Sequence, residues 1–318
     1  MTSTDRVQDL REAMVQSLVE GVEEGIEIVV LVSDSSSTSS IAPFRARFPQ
    51  RLVNVGIAEQ NLLGVAAGLS LGGYVSVTAN AACFLVARSC EQLKTDICYS
   101  ATNVKLMGLN AGVAYGPLAS THHAIDDISI MRGLGTIRIF APADGVEAAQ
   151  VIRHALRSDG PVYVRLDNAQ LPVFHDAGYH FHPGRIDVVR EGGDLTIFAL
   201  GSVVHEALEA GEELAKQGVK ATIVNMSSIR PTDPNEICRR ACATGRVVTV
   251  EEHSVNGGIG SLVAESVTDF GCAARFQRLG IPEGQFAKAG PRDEIRRYYG
   301  MDAAGVVRAA LRVLSRGT

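Results

Sequence analysis

Tryptophan is absent from this 318-residue sequence, and aromatic side chains make up only 5% of it. That removes the ring platforms on which sugar polymers and single-stranded nucleic acids stack, so a ligand is expected to be held by polar contacts and a few rings. No Lys/Arg block able to neutralise a phosphate backbone occurs, and the net charge is -5; nucleic-acid binding is not expected. The longest apolar runs, such as 28–32, are strand-sized and far short of the ~20 residues of a membrane helix. The first residues, MTSTDRVQDL, lack the apolar core of a signal peptide. Six cysteines, Cys83, Cys90, Cys98, Cys238, Cys242 and Cys272, show no repeated CxxC pair. A reduced, cytoplasmic protein is the expectation.

What the sequence does have is apolar mass. It is 46% hydrophobic and 20% charged, enough to offset the conformational entropy of folding, and its length suits two domains. Short β-branched runs at 26–32, 104–109, 136–140, 162–165, 195–200, 221–224 and 246–250 alternate with helical stretches, the α/β pattern. Several runs are apolar at successive positions, as strands buried on both faces of a parallel sheet require. Helical stripes follow: Leu62, Val65, Ala66 and Leu69; Val146, Ala149, Ile152 and Leu156; Ala207, Ala210 and Leu214. The rhythm breaks at 171–184 (LPVFHDAGYHFHPG), which separates domains at 1–175 and 185–318. His175, His180 and His182 lie there. With no Cys or carboxylate spacing beside them, they read as a solvated linker in preference to a metal site.

Asp34 follows directly on a buried strand, where open α/β sheets collect ligands. Alone, with Ser35 to Thr38, it reads first as a turn or cap. In the segment 54–61 (NVGIAEQN) a glycine turn brings Glu59 into the first turn of a Gly/Ala-rich helix, where the helix dipole alone could favour it. Adjacent His122 and His123 before Asp126 and Asp127 would by themselves mark a helix start. Gly257, Gly258 and Gly260 after a strand lack the full dinucleotide spacing, and Glu251, Glu252 and His253 read as structural.

Taken together, SDSSS, VGIAEQN, FLVARSCEQLKTD, STHHAIDD, MRGLG with APAD, GPVYVR, TIFALGS and EEHSVNGGIGS resemble transketolases and deoxyxylulose-phosphate synthases, and most closely the stand-alone C-terminal halves of split transketolases. The resemblance covers nearly the whole chain. It implies two domains, each a mostly parallel sheet with helices on both faces: a pyrimidine-binding domain, then a transketolase C-terminal domain. It also implies thiamine diphosphate as cofactor. Glu59 then matches the glutamate that hydrogen-bonds the aminopyrimidine and activates the cofactor, with its carboxyl pKa raised by a dry pocket. Phe84 matches the ring that stacks on the pyrimidine, Asp34 an acid near the thiazolium, His122 the histidine facing the reacting carbonyl, and Arg11 an arginine at the acceptor phosphate.

Two departures stand out. Leu118 replaces an Asp that contacts a substrate hydroxyl, and Asn168 replaces a second phosphate arginine, Arg165 lying earlier on the strand. A modified acceptor is implied, one that need not be phosphorylated. The sequence also lacks the GDG…Asn phrase that holds Mg²⁺ and the diphosphate, so no metal ligand is expected in this chain. The resemblance therefore implies a separate N-terminal subunit carrying that site, a heterotetramer, and transfer of a two-carbon ketol unit from a ketose to an aldehyde. A β subunit of a 2-oxo acid dehydrogenase has the same layout, although VGIAEQN and STHH speak against it; a non-catalytic assembly subunit is the third reading.

Overall fold

Continuous apolar runs become strands because only a doubly covered sheet hides both their faces. In the computed structural model, which describes residues 7–36, 38–176 and 178–315, the first half holds β1 (Val7–Asp9), β2 (Ile28–Val32), β3 (Leu52–Asn54), β4 (Val75–Ala81), β5 (Val104–Leu109), β6 (Arg138–Phe140), β7 (Val162–Arg165) and β8 (Gln170–Pro172). The second half holds β9 (Asp187–Arg190), β10 (Leu195–Ala199), β11 (Ala221–Asn225), β12 (Ser228–Arg230), β13 (Arg246–Ser254) and β14 (Arg275–Ile281). One sheet runs β12-β6-β7-β5-β4-β2-β3 and a second runs β14-β13-β10-β11-β9; β1 and β8 make a separate antiparallel pair. Both sheets are parallel except at one edge each, β12 against β6 and β9 against β11. Every residue of β2, β5, β7, β10 and β11 is buried.

Among the strands missing from the sequence reading, β4 is the central one, pairing with both β2 and β5. Its Ser76, Thr78 and Asn80 alternate with apolar residues, the pattern of a half-exposed strand, yet all three are buried. Tertiary cover on both faces overrides the local pattern. The helix Gly145–Arg157 likewise turns its buried face toward Ala148, Val151 and Ala155, leaving Val146 and Ala149 half-buried. Glu147 causes the rotation, because its carboxylate points inward to accept from Ala143 N at 2.8 Å and Asn225 Nδ2 at 2.9 Å.

The two halves are joined by more than a connecting segment. β12 comes from the second half and extends the first half's sheet. Arg292 Nη1 donates to Asp167 at 2.6 Å and its Nε to Glu252 at 2.9 Å, while Arg165 Nη2 reaches the Glu252 carbonyl at 2.9 Å. The solvated-linker reading fails for His175. It is buried, with Nδ1 at 3.0 Å from Asp144 and Nε2 at 2.8 Å from Asp187. Glu147, His175 and Asp187 lie close enough to suggest a metal site, but His175 Nε2 is already hydrogen-bonded to Asp187 and its Nδ1 faces the Asp144 carboxylate, a setting that favours the protonated ring, which has no lone pair to give.

Candidate active site

The carboxyl ends of the parallel strands collect the candidate residues on one edge of the seven-stranded sheet, as the geometry of such sheets requires. Beyond β2, Asp34 is exposed and takes a left-handed backbone (φ 55), tolerable for Asp. Asn54, closing β3, holds this turn and the next: its Oδ1 accepts from Asp34 N and Gly56 N, both at 3.0 Å. Gly56 supplies the positive φ (76) that starts the helix Glu59–Leu71.

Glu59 is only 3% exposed. Its Oε1 accepts from Ser33 Oγ and Asn80 Nδ2, each at 3.3 Å, and its Oε2 from Arg88 Nη1 at 2.7 Å. Asn80 also donates to Ser33 at 2.6 Å. Burial pushes this carboxyl up, but the bonds from Arg88, the backbone and Asn80 outweigh it and set Glu59 below its ordinary value. The raised pKa expected from a dry pocket is therefore not the state of the free chain. A cation at one carboxylate oxygen reverses the sign.

Phe84–Arg88 is a π-helical turn after β4, a wide turn common at functional sites. It lays the Arg88 guanidinium over the Phe84 ring, 4.2 Å from the centroid. His122 meets Phe84 edge-on at 5.1 Å and Tyr115 at 5.5 Å, and the Thr121 hydroxyl lies 2.9 Å from its Nδ1. The preceding segment Gly116–Thr121 contains half-exposed Leu118 and Ala119 at φ 61.

Arg11 is tied down. Its Nη2 meets Asp9 at 2.6 Å, its Nη1 donates to the Thr38 carbonyl at 3.2 Å, and Nη2 approaches the Asn168 carbonyl at 3.4 Å. Thus Arg11, Thr38 in the loop after Asp34, and Asn168 share one corner. Arg165 lies elsewhere: it is buried against Asp127 at 2.8 Å and serves the junction between the halves. Asp126 and Asp127 do open a helix, Asp127–Arg132.

Sequence reasoning misses Ser33, Asn80 and Arg88. A signal exists for each: Ser33 precedes Asp34, Asn80 is an amide within a buried run, and Arg88 stands one wide turn after Phe84. The arrangement fits an aminopyrimidine. Arg88 presents a flat array of N–H donors that lies on Phe84 and bonds Glu59, and those are the two contacts such a ring would make.

Residues 6–173 match the transketolase pyrimidine binding domain and residues 184–306 the transketolase C-terminal domain. The chain belongs to the transketolase family. Its class of reaction is ketol transfer with thiamine diphosphate. It is 50% identical, over 96% of this chain and 98% of the relative, to a protein of Actinobacillus succinogenes named as one subunit of an apulose-4-phosphate transketolase. A Clostridium protein named as a 6-deoxy-6-sulfo-D-fructose transketolase subunit is 36% identical over 96% of this chain and 95% of its own. Among solved structures, a split-gene transketolase described as an inactive beta4 tetramer superposes with a TM-score of 0.86 at 38% identity, covering 96% of this chain and 98% of that one. The transketolase of Campylobacter jejuni shares the fold at 18% identity, with a TM-score of 0.80 over 96% of this chain and 47% of its own.

The Gly257, Gly258, Gly260 phrase is no nucleotide loop. Both oxygens of Glu251 already occupy the start of the helix Ile259–Asp269, accepting from Ile259 N at 2.7 Å and Gly260 N at 2.8 Å. A carboxylate of the protein fills the anion position.

Proposed function

We propose that this chain is the pyrimidine-binding subunit of a split transketolase, with a cofactor-facing domain at 1–175 and a C-terminal domain at 185–318. It works in the cytoplasm as a heterotetramer with a separate N-terminal subunit that holds the diphosphate and Mg²⁺. No helix among the described residues is long and apolar enough to cross a membrane.

The observation that carries this reading is the contact set joining Glu59, Arg88 and Phe84. Glu59 would hold the pyrimidine by a charge-assisted hydrogen bond, and Phe84 would lie against that ring. Asp34 is assigned to the thiazolium side. When bound, thiamine diphosphate would supply a carbon nucleophile for the ketose carbonyl. Glu59 holds the proton balance of the pyrimidine. His122, edge-on to Phe84, orients the substrate oxygen and moves a proton at its ring nitrogen.

The two relatives named for substrates take a sugar phosphate and a sulfonated sugar. That supports a ketose donor with an anionic substituent. On the acceptor side, Arg11 is bound to Asp9, and Leu118 and Asn168 offer no charge, which supports an aldehyde that need not be phosphorylated.

The test is co-expression with a GDG-bearing partner and measurement of ketose loss. The chain alone should be inactive and the complex active. Glu59→Gln should lower kcat by roughly 10²–10⁴-fold while the complex still assembles on size exclusion; undiminished turnover would favour the non-catalytic reading. His122→Ala should lower turnover with little change in cofactor binding. Asn168→Arg should raise kcat/KM for phosphorylated acceptors over neutral ones, and an unchanged ratio would count against this account of the acceptor corner.

A further inference from the structure

Three sulfurs meet where the ketol-transfer chemistry has no use for them. Cys238 and Cys242 are four residues apart on the helix Pro234–Thr244 and so share a face. Cys272 follows the helix Ile259–Asp269, folded back by Gly271 N donating to Thr268 O at 3.1 Å and its own N–H to Val267 O at 2.9 Å. Cys238 Sγ lies 3.6 Å from Cys242 Sγ, Cys242 and Cys272 are joined in a disulfide, and all three sulfurs fall within 4.8 Å of one another. The fully reduced state expected from the spacing of the cysteines is thus not the one the structure shows. Cys238 is buried, Cys272 half-buried and Cys242 exposed, giving the cluster a dry base and an open mouth.

Packing explains Cys238 alone, because a buried thiol behaves as a small hydrophobe. It does not explain why an exposed sulfur and one from a distant turn converge on it. Metal–thiolate geometry does. A zinc–sulfur bond of about 2.3 Å places two thiolates of a tetrahedral ion about 3.8 Å apart, close to the 3.6 Å between Cys238 and Cys242. Opening the disulfide frees Cys272, on its own turn, to complete a tripod with the two sulfurs of the helix.

We propose that reduced Cys238, Cys242 and Cys272 form a three-thiolate site for a thiophilic divalent cation of the zinc class, with its fourth position open to solvent. The Cys242–Cys272 disulfide is the oxidised, metal-free form of that site. In the conversion two thiolates give up two electrons as the sulfur–sulfur bond forms. A disulfide oxidant such as oxidised glutathione accepts them and, with two protons, leaves as two thiols. Cys238 takes up a proton as the cation departs.

The test uses the full chain, reduced, desalted without oxygen and titrated with Co²⁺ as the spectroscopic probe and then Zn²⁺. One Co²⁺ per chain should bind with thiolate-to-cobalt charge transfer and strong tetrahedral d–d bands, and Zn²⁺ should displace it. Cys238→Ser, Cys242→Ser and Cys272→Ser should each lose the charge-transfer bands, whereas Cys90→Ser keeps them. Oxidised glutathione should release one Zn²⁺ per chain, and a phosphine reductant should restore binding. Because Cys238→Ser leaves the disulfide pair intact, it separates metal binding from folding. Failure of the reduced wild type to bind one equivalent, or unchanged binding by Cys238→Ser, would overturn the proposal.

Discussion

Glu59 is pulled both ways: low exposure favours the neutral acid, and three donors favour the carboxylate. Arg88 is the strongest of the lowering partners and the one with an exposed side chain, so it is the contact most easily exchanged for a ligand. Removing it should raise the Glu59 pKa. With its folded value below the ordinary one, Glu59 stabilises the fold above that ordinary value, and the contribution is lost as pH falls through the folded value. Arg88→Leu should therefore move protonation of this carboxyl to higher pH, read as the carboxylate stretch in infrared difference spectra of each protein against its Glu59→Gln counterpart. An unmoved titration would mean that Asn80 and Ser33 alone hold it. Glu59, Phe84 and His122 are legible in the sequence because each stands in a recognisable phrase. Ser33, Asn80 and Arg88 are not, because their roles depend on bonds to a residue 21 to 29 positions away.

Among elements, the start of the helix Ile259–Asp269 tests how far a motif can be trusted. Gly258 stands there because the Glu251 carboxylate caps the helix at close range: a Cβ at Gly258 would come 2.0 Å from Glu251 Oε2 and 2.8 Å from His253 Nδ1. Gly258→Ala should cost about 1–3 kcal/mol by overpacking, read as a lower urea midpoint with an unchanged m-value; Gly257→Ala would strain a positive φ of 81 and press on Ser129, 2.4 Å from the added Cβ, and not on Glu251. The spacing already speaks against a ligand loop here, and the capping bonds give the structural role. β4 carries the complementary lesson. Its alternation is genuine in the sequence, but the sheet position of a strand is set by its neighbours, and β2 and β5 enclose it.

At the scale of the molecule, buried charge knits the halves together. Arg292 neutralises Asp167 and Glu252, Arg296 pairs with Glu252, and Val113 N donates to the same carboxylate at 3.1 Å. Below this, burial lowers the pKa of His175, but its bonds to Asp144 and Asp187 outweigh that and raise it to about 10. A folded pKa above the unfolded value means that the stabilisation is complete below about pH 6.5 and fades as pH rises toward about 10. The stability difference between wild type and His175→Gln should accordingly shrink from pH 6 to pH 10 in urea titrations. A difference that stayed constant would show that the residue acts only through packing.

The apolar runs and stripes determined by themselves that the chain is α/β with parallel, doubly covered sheets, because burial periodicity is a local property of the chain. Ordered phrases determined the family. Only the tertiary structure decided that Arg88 reaches Glu59 across Phe84, that His175 is buried between two carboxylates, and that three cysteines converge. Each of these depends on which distant segments pack together, and that is settled by the energy of the whole core and not by any window of the sequence.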